Sequence, residues 1–353
     1  MIDAGLVEKL RRIVGKENVL TSPEEMVAYS YDATNMWSHR PDMVVLPSNA
    51  EQISAILKLA SENNIPVTPR GGGTNVSGGS VPIQGGIVLC TTRMDKILDI
   101  NRTNLNATVE PGVILQDFQA ALAKEGLFFP PDPQSFAGCT IGGVVAENSG
   151  GPSCLKYGVT KQYVLGLEVV LADGRVIKLG GLTPKNRTGY ELMMLFTGSE
   201  GTLGVITKIT LRLLPAPKDE QTIVAVFGDV AVAGETVTDI IGSDVLPSKV
   251  EFVDNWTFAK FRGLLPDNIL DSSQVILLIQ VDGLPETVAA ETRQVVEISR
   301  RRATEVRVAQ DKVEAARYWQ ARQSHFSDIS SRAIPLLTKT CPCPAIKSPI
   351  SLN

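Results

Sequence analysis

Residues 69–79 read Pro-Arg-Gly-Gly-Gly-Thr-Asn-Val-Ser-Gly-Gly. Counting Gly85 and Gly86, seven glycines fall within residues 71–86, where ordinary usage of roughly 7% would place about one. Successive residues without a Cβ let backbone N–H groups converge on an anion, an arrangement suited to a pyrophosphate. Thr74, Asn75 and Ser77 add side-chain donors, and Arg70 is the only charged residue of the stretch. A diphosphate held here would therefore rest mainly on backbone dipoles. The alternative reading is a surface loop without a ligand. No Gly-Lys-Ser/Thr follows, which argues against a Walker loop, and no amphipathic helix opens directly after the glycines, which weakens a dinucleotide fingerprint.

Two further clusters lie downstream. Pro130-Pro131-Asp132-Pro133 is followed by residues 138–151, Gly-Cys-Thr-Ile-Gly-Gly-Val-Val-Ala-Glu-Asn-Ser-Gly-Gly. Thr140, Gly142, Gly143, Ala146, Asn148, Gly150 and Gly151 have the small size needed to line a flat aromatic cofactor, and Asn148 offers hydrogen bonds to heteroatoms. A pair of tight turns is the plainer alternative. Residues 197–207, Thr-Gly-Ser-Glu-Gly-Thr-Leu-Gly-Val-Ile-Thr, form the third cluster. Here Gly201 and Gly204 permit close approach, and Val205 and Ile206 can offer backbone to a base.

Around these clusters the chain alternates strand and helix patterns. Residues 1–16 place Leu6, Leu10, Ile13 and Val14 at helical spacing. Met43 to Leu46 predicts a strand, Ser48-x-x-Glu51 a capping box opening a helix with Ile53, Ile56, Leu57 and Ala60 on one face, and Ile65 to Thr68 a returning strand, together a βαβ unit. Gly86–Thr91, Ala107–Glu110, Leu167–Leu171, Val176–Leu179 and Val205–Leu213 are β-rich, with Asp173-Gly174 as a hairpin turn. Leu115, Phe118 and Leu122 mark an amphipathic helix. After Pro215-Ala-Pro217 the rhythm becomes β-α-β-α-β-α-β-α from Thr222 to Ala333, which includes a helix over Trp256–Phe261. That order suits an antiparallel sheet with helices on one face, an α+β architecture. The expected division is a helical lead-in over 1–40, a cofactor domain over 41–217, a second domain over 218–338 and an unstructured tail over 339–353.

Composition narrows the function classes. The 353 residues, 43% hydrophobic, suffice for about two domains. A net charge of −4 gives no field for nucleic acid or an anionic membrane. Two histidines exclude a site built from three imidazoles, no metal site is expected, and the five scattered cysteines read as reduced thiols. No stretch approaches the ~20 apolar residues of a membrane span, and the start is not a signal peptide, so a cytoplasmic protein is expected.

The three clusters, in this order and with these residues, resemble the FAD-linked oxidases of the vanillyl-alcohol oxidase type, with a PCMH-type FAD domain. The nearest group is that of the FAD-binding subunit of glycolate oxidase and the D-lactate dehydrogenases. The resemblance runs from about residue 20 to Thr338. It implies a two-subdomain FAD-binding domain followed by an antiparallel-sheet cap. It further implies that residues Pro69, Arg70, Gly71, Gly72, Gly73, Thr74, Asn75, Gly78 and Gly79 hold the diphosphate, and that Pro131, Asp132, Thr140, Gly142, Gly143 and Asn148 flank the flavin, beside Ala146, Gly150 and Gly151. Gly201, Gly204, Val205 and Ile206 would meet the adenosine side. With no histidine between His39 and His325, noncovalent FAD is implied. Tyr318-Trp319-x-x-Arg322 resembles the helix whose arginine binds a substrate carboxylate, although Arg317, Arg322 and Arg332 fit a solvated helix face equally well. His325 shares the face of Arg322 and reads as a surface imidazole.

The implied reaction is oxidation of a small 2-hydroxy acid, glycolate or D-lactate, to the 2-oxo acid. Electrons would pass to an iron–sulfur partner subunit, a quinone or a cytochrome, and the protein would sit at the inner membrane only through such partners. From Lys339 the sequence Thr-Cys-Pro-Cys-Pro-Ala-Ile-Lys-Ser-Pro-Ile-Ser-Leu-Asn departs from the family, where a histidine-rich segment supplies the general base. The expectation is a truncated or frameshifted end, no identifiable base, and, as the alternative, a flavin-binding module without its own turnover. A sugar-nucleotide reductase on the same FAD fold is a third reading, disfavoured by the Trp319/Arg322 helix.

Overall fold

The computed structural model describes residues 4–34, 36–253, 261, 263–265 and 274–331, with side-chain surroundings up to residue 323. The tail from Lys339, Arg332, the side chain of His325 and the helix expected over 256–261, apart from Phe261 itself, lie outside the described residues. The described chain falls into two compact units: one from Met1–Gly150 and Val159–Ala216, the other from Gly151–Gly158 and Pro217–Arg332. No described helix is long and apolar enough to cross a membrane.

In the first unit, the helix Ala4–Val14 buries Leu6, Leu10 and Val14, four residues apart, against Ile53, Ile56, Leu57 and Ala60 of the helix Ala50–Glu62. The cap of the second helix lies one residue later than the sequence reading places it. Asn49, not Ser48, is the N-cap, accepting from Gln52 N–H at 2.9 Å, while the Gln52 side chain accepts from Ser48 N–H at 2.8 Å. Gln52 also donates to the Ile13 carbonyl at 3.0 Å. That tie between helices selects this register over the equally good Ser48/Glu51 box.

A four-stranded sheet carries these helices in the order β1 (Val19–Leu20), β2 (Met43–Val45), β4 (Ile87–Cys90), β3 (Val67–Arg70). The expected βαβ unit is present with a strand inserted: β2 and β3, joined by the helix Ala50–Glu62, run parallel in one sheet, and both are neighbours of β4, which lies between them. The physical reason is burial on both faces. Ile87 and Leu89 join the helix-covered core, and Val88 and Cys90 join Met26 and Val44 on the opposite face, so the most apolar strand takes a central place.

The second sheet of this unit is antiparallel, in the order β5 (Ile97–Asn101), β6 (Asn106–Val109), β10 (Val205–Arg212), β8 (Val164–Val170), β9 (Val176–Gly180). Asp173-Gly174 makes the β8–β9 turn, with Gly174 at φ +85° and Arg175 N–H donating to Asp173 Oδ1 at 3.0 Å. The helix Leu115–Lys124 buries Leu115, Phe118 and Leu122 completely, and Phe118 meets Phe129 at a centroid distance of 6.0 Å, just past the short strand β7 (Leu127–Phe128), which pairs antiparallel with β11 (Leu214–Pro215).

The second unit is an antiparallel sheet ordered β13 (Lys249–Val253), β14 (Val275–Gly283), β12 (Asp219–Phe227), β15 (Glu305–Val308). The expectation of helices on one face is overturned. Ile223, Ala225 and Phe227 pack with residues of the helices Val230–Ile241 and Pro285–Arg300. Val224, Val226, Ile276 and Leu278 pack on the other face with Tyr318 and Ala321 of the helix Lys312–Ser331. Strand residues 222–227 are all buried, which requires a cover on both sides. The segment Gly151–Gly158 belongs to this unit through Asp282, whose carboxylate accepts from Lys156 Nζ at 2.5 Å and from Tyr157 OH at 2.9 Å.

Candidate cofactor site

The three glycine clusters, the second taken up to Gly150, meet within the first unit. A Cβ on Gly72 would lie 2.3 Å from the Gly138 carbonyl oxygen, and one on Gly71 2.2 Å from Thr140 Oγ1, so the first loop runs directly against the second cluster. Gly201 of the third cluster abuts Pro69, where a Cβ would be 3.1 Å from Pro69 Cγ. Gly198 and Glu200 donate their N–H groups to the carbonyls of Val145 and Ala146 at 3.0 and 2.9 Å. Ser77 Oγ donates to Glu147 Oε1 at 3.1 Å, closing the circle from the first cluster to the second.

Among the described residues, the N–H groups of Gly72, Gly73, Thr74, Asn75, Val76 and Ser77 have no acceptor in the protein. A run of unpaired backbone donors on a partly exposed loop is the composition of an anion nest. The structure also places the side chains of this loop. The Arg70 guanidinium packs directly against Gly73 of the nest, where a Cβ would collide with Arg70 Nη2 and Cζ. It is buried and donates to the carbonyls of Ala28 at 3.0 Å, Tyr31 at 2.8 Å and Ser80 at 3.3 Å, because five N–H donors in an apolar interior must find acceptors. Burial holds its pKa below the usual arginine value, with the Cys90 and Asp32 fields opposing. Gly78 N–H is also spent, donating to Asp32 Oδ2 at 2.8 Å, and the Asn75 side chain donates to the same oxygen and accepts from Ser80 Oγ. Gly79 lies beside the Glu200 carboxylate.

In the second cluster, Thr140 is the N-cap of the helix Ile141–Ala146, its hydroxyl accepting from Gly143 N–H at 3.3 Å. Gly142 packs on Pro111 and gives its N–H to the Pro111 carbonyl at 2.8 Å, so its absent Cβ serves chain packing rather than a ring. Ala146, Asn148, Gly150 and Gly151 are all partly exposed. Asn148 Oδ1 accepts from Lys161 N–H at 2.8 Å, with Asn148 itself at φ +49°, and Gly151 N–H meets Cys154 Sγ at 2.9 Å. Pro131 is buried and Asp132 half-buried. In the third, Gly204 packs against Val169 and Val170 of β8. Val205 and Ile206 pair with β8 on one edge, and since β6 pairs with β10 from Ile209 onward, no strand among the described residues pairs with their other edge. These features fit FAD: unpaired amides for a diphosphate, and a wall of small residues at its side.

Glu147 is the perturbed acid of the site. Burial pushes its carboxyl above the usual range, the Glu200 charge adds to this, and the Ser77 hydroxyl opposes it. Because the folded-state value is raised, the stability from this group is present in acid and is lost as pH rises through that raised value. Glu147→Gln should therefore raise the melting temperature of the apoprotein near neutral pH, with the gain vanishing as pH falls into the ordinary carboxylate range. A gain independent of pH would refute this account.

Arg322 lies in the second unit on the helix Lys312–Ser331, and its Nε and Nη2 both donate to Glu251 Oε2, at 3.0 and 2.6 Å. Beside it Trp319 Nε1 donates to Thr222 Oγ1 at 3.2 Å, and Lys249 Nζ stands 5.1 Å from the Trp319 ring centroid. Sequence reasoning missed Asp32 and Glu251. Asp32-Ala-Thr34 carries a local turn signal, since Thr34 N–H donates to Asp32 Oδ1, but nothing local announces the reach to Gly78.

Comparison with known proteins agrees with FAD as the cofactor. A family model described as FAD binding domain matches residues 41–180, and one described as FAD linked oxidases, C-terminal domain, matches residues 216–344. The chain is similar to the glycolate oxidase subunit GlcD of Bacillus subtilis (strain 168), at 42% identity over 331 residues covering 94% of this chain and 70% of that protein. With the subunit of the same name from Escherichia coli (strain K12) it shares 39% over 318 residues, 90% of this chain and 64% of that one. It thus spans about two thirds of the length of these relatives. A D-lactate dehydrogenase of Archaeoglobus fulgidus is 47% identical over 212 residues, 60% of this chain and 47% of that one. Among solved structures, p-cresol methylhydroxylase superposes with a TM-score of 0.73 at 22% identity over 89% of this chain and 69% of that one, a shared fold.

Proposed function

The chain belongs to the FAD-linked oxidases, and on that premise we propose that it oxidises a small 2-hydroxy acid, glycolate or D-lactate, to the 2-oxo acid, with noncovalent FAD. The observation that carries the reading is the identity with the Bacillus subtilis glycolate oxidase subunit across nearly the whole chain. Bound FAD supplies a two-electron acceptor for hydride from the substrate α-carbon. The residues of this chain supply holding and orientation. The N–H groups from Gly72 to Ser77 hold the diphosphate without a cationic side chain, and the residues around Thr140 and Asn148 keep the backbone close to the ring. Arg322 binds the substrate carboxylate through its planar fork, and Glu251 fixes the plane of that fork. No base is assigned among the described side chains. The electrons pass to a partner subunit carrying an iron–sulfur centre; what supports a partner is that both glycolate oxidase relatives are named as subunits.

The test is an anaerobic flavin spectrum before and after adding D-lactate or glycolate. Bleaching by either is expected. In Arg322→Met, flavin content should be unchanged while the half-saturating substrate concentration rises at least about tenfold, the ~1.5 to 3 kcal/mol of a charge-assisted hydrogen bond. Flavin that is bound but bleached by neither acid would sink the substrate assignment and favour a flavin-binding module without turnover of its own.

A further inference from the structure

Asp32 lies upstream of residues 41–180, which the FAD-binding family model covers. Its carboxylate is 2% exposed, and both its oxygens are fully engaged. Oδ2 accepts from Gly78 N–H at 2.8 Å and from Asn75 Nδ2 at 3.0 Å, and Oδ1 accepts from Thr34 N–H at 2.9 Å and Thr34 Oγ1 at 2.7 Å. Ala33 N–H donates to the Asn75 carbonyl at 3.0 Å, and Arg70 ties the same arm from below through the carbonyls of Ala28 and Tyr31.

A buried anion beneath a loop suited to anions costs desolvation and repels the ligand unless its bonds offset both. Here the bonds fall on Asn75 and Gly78, at the end of the loop, and between Gly72 and Ser77 the N–H groups keep no protein acceptor. A glycine-rich loop freed at that end would close on itself and satisfy those donors internally, since unpaired backbone N–H groups seek the nearest carbonyl. We propose that Asp32 is a positioning residue for the cofactor, holding the loop in the open shape that presents its amides to the FAD diphosphate. The arm Ala28–Thr34 is on this account part of the cofactor site.

The chemistry of the four donors gives a sharp test. Two of them, the backbone N–H groups of Gly78 and Thr34, cannot reverse, whereas the Thr34 hydroxyl can turn and the Asn75 amide can flip. Asparagine at 32 keeps the shape but sets an NH2 against the N–H of either Gly78 or Thr34. In Asp32→Asn, the dissociation constant for FAD, measured by flavin fluorescence on apoprotein, should rise at least about tenfold. ADP, which carries the diphosphate without the flavin, should weaken in parallel. Amide exchange of peptides spanning Gly78 should accelerate in the variant apoprotein. Asn75→Ala, which removes one loop-side bond to Asp32 together with the Asn75 side-chain bonds to Ser77 and Ser80 and leaves Asp32 in place, should weaken FAD by a smaller factor at a smaller cost in melting temperature, and it serves as the test if Asp32→Asn does not fold. A lower melting temperature with FAD and ADP affinities within twofold of wild type would make Asp32 a structural residue only and overturn the proposal. Wild-type protein that takes up no FAD would overturn it together with the cofactor assignment.

Discussion

Replacing Gly72 by alanine is expected to strip FAD from the protein while leaving it folded. The new Cβ would stand 2.3 Å from the Gly138 carbonyl oxygen, far inside van der Waals contact. That oxygen cannot retreat easily, because Gly138 and Cys139 N–H groups both donate to the Ser135 carbonyl, at 2.8 and 2.9 Å. The first cluster must therefore move off the second, and the two no longer meet around one ligand. A loss of at least about 100-fold in FAD affinity is expected, roughly 2.8 kcal/mol. Gly72 itself is exposed, so core packing is untouched and the apoprotein should melt close to wild type. Gly228→Ala is the matched control, since nothing lies within 4 Å of a Cβ there. Equal FAD affinity in Gly72→Ala and Gly228→Ala would show that the clusters do not converge as described.

The largest loss of stability is expected from Phe118→Ala. Its ring is fully buried between the helix Leu115–Lys124 and the aromatic run Phe129–Tyr163, with centroid distances of 6.0 Å to Phe129 and 5.8 Å from Phe129 to Tyr163. Removing a buried phenyl loses its transfer free energy and leaves a cavity, about 3 to 5 kcal/mol in total. For a unit of this size that lowers the melting temperature by on the order of 10 °C. The loss should fall on the first unit's transition, seen as a split calorimetric trace if the two units melt separately. A cost below about 1 kcal/mol would mean that the helix does not pack on this core.

Much of the fold was legible because its causes are local. The hairpin at Asp173-Gly174 follows from the turn chemistry of two adjacent residues, and the helix Leu115–Lys124 from apolar residues at helical spacing. Other elements were not. Strand β5 carries Leu98 outward and shows no clean alternation, and its existence rests on pairing with β6, which no pattern within Ile97–Asn101 announces. The place of β4 between β2 and β3, and the covering of the second unit's sheet on both faces, depend on which apolar faces find one another.

The sequence by itself determined the cofactor class and the family, since a nest needs glycines and the three clusters carry them in an identifying order. Tertiary structure alone decided which polar groups remain for a ligand. Arg70, the one cation of the first cluster, packs against Gly73 but gives its N–H groups to backbone carbonyls, Gly78 is spent on a carboxylate 46 residues away, and Arg322 gives its Nε and Nη2 to Glu251, which holds the guanidinium in place. Each outcome follows from one rule: a buried donor takes the nearest acceptor in space, and nearness in space between distant residues is fixed only once the chain has folded.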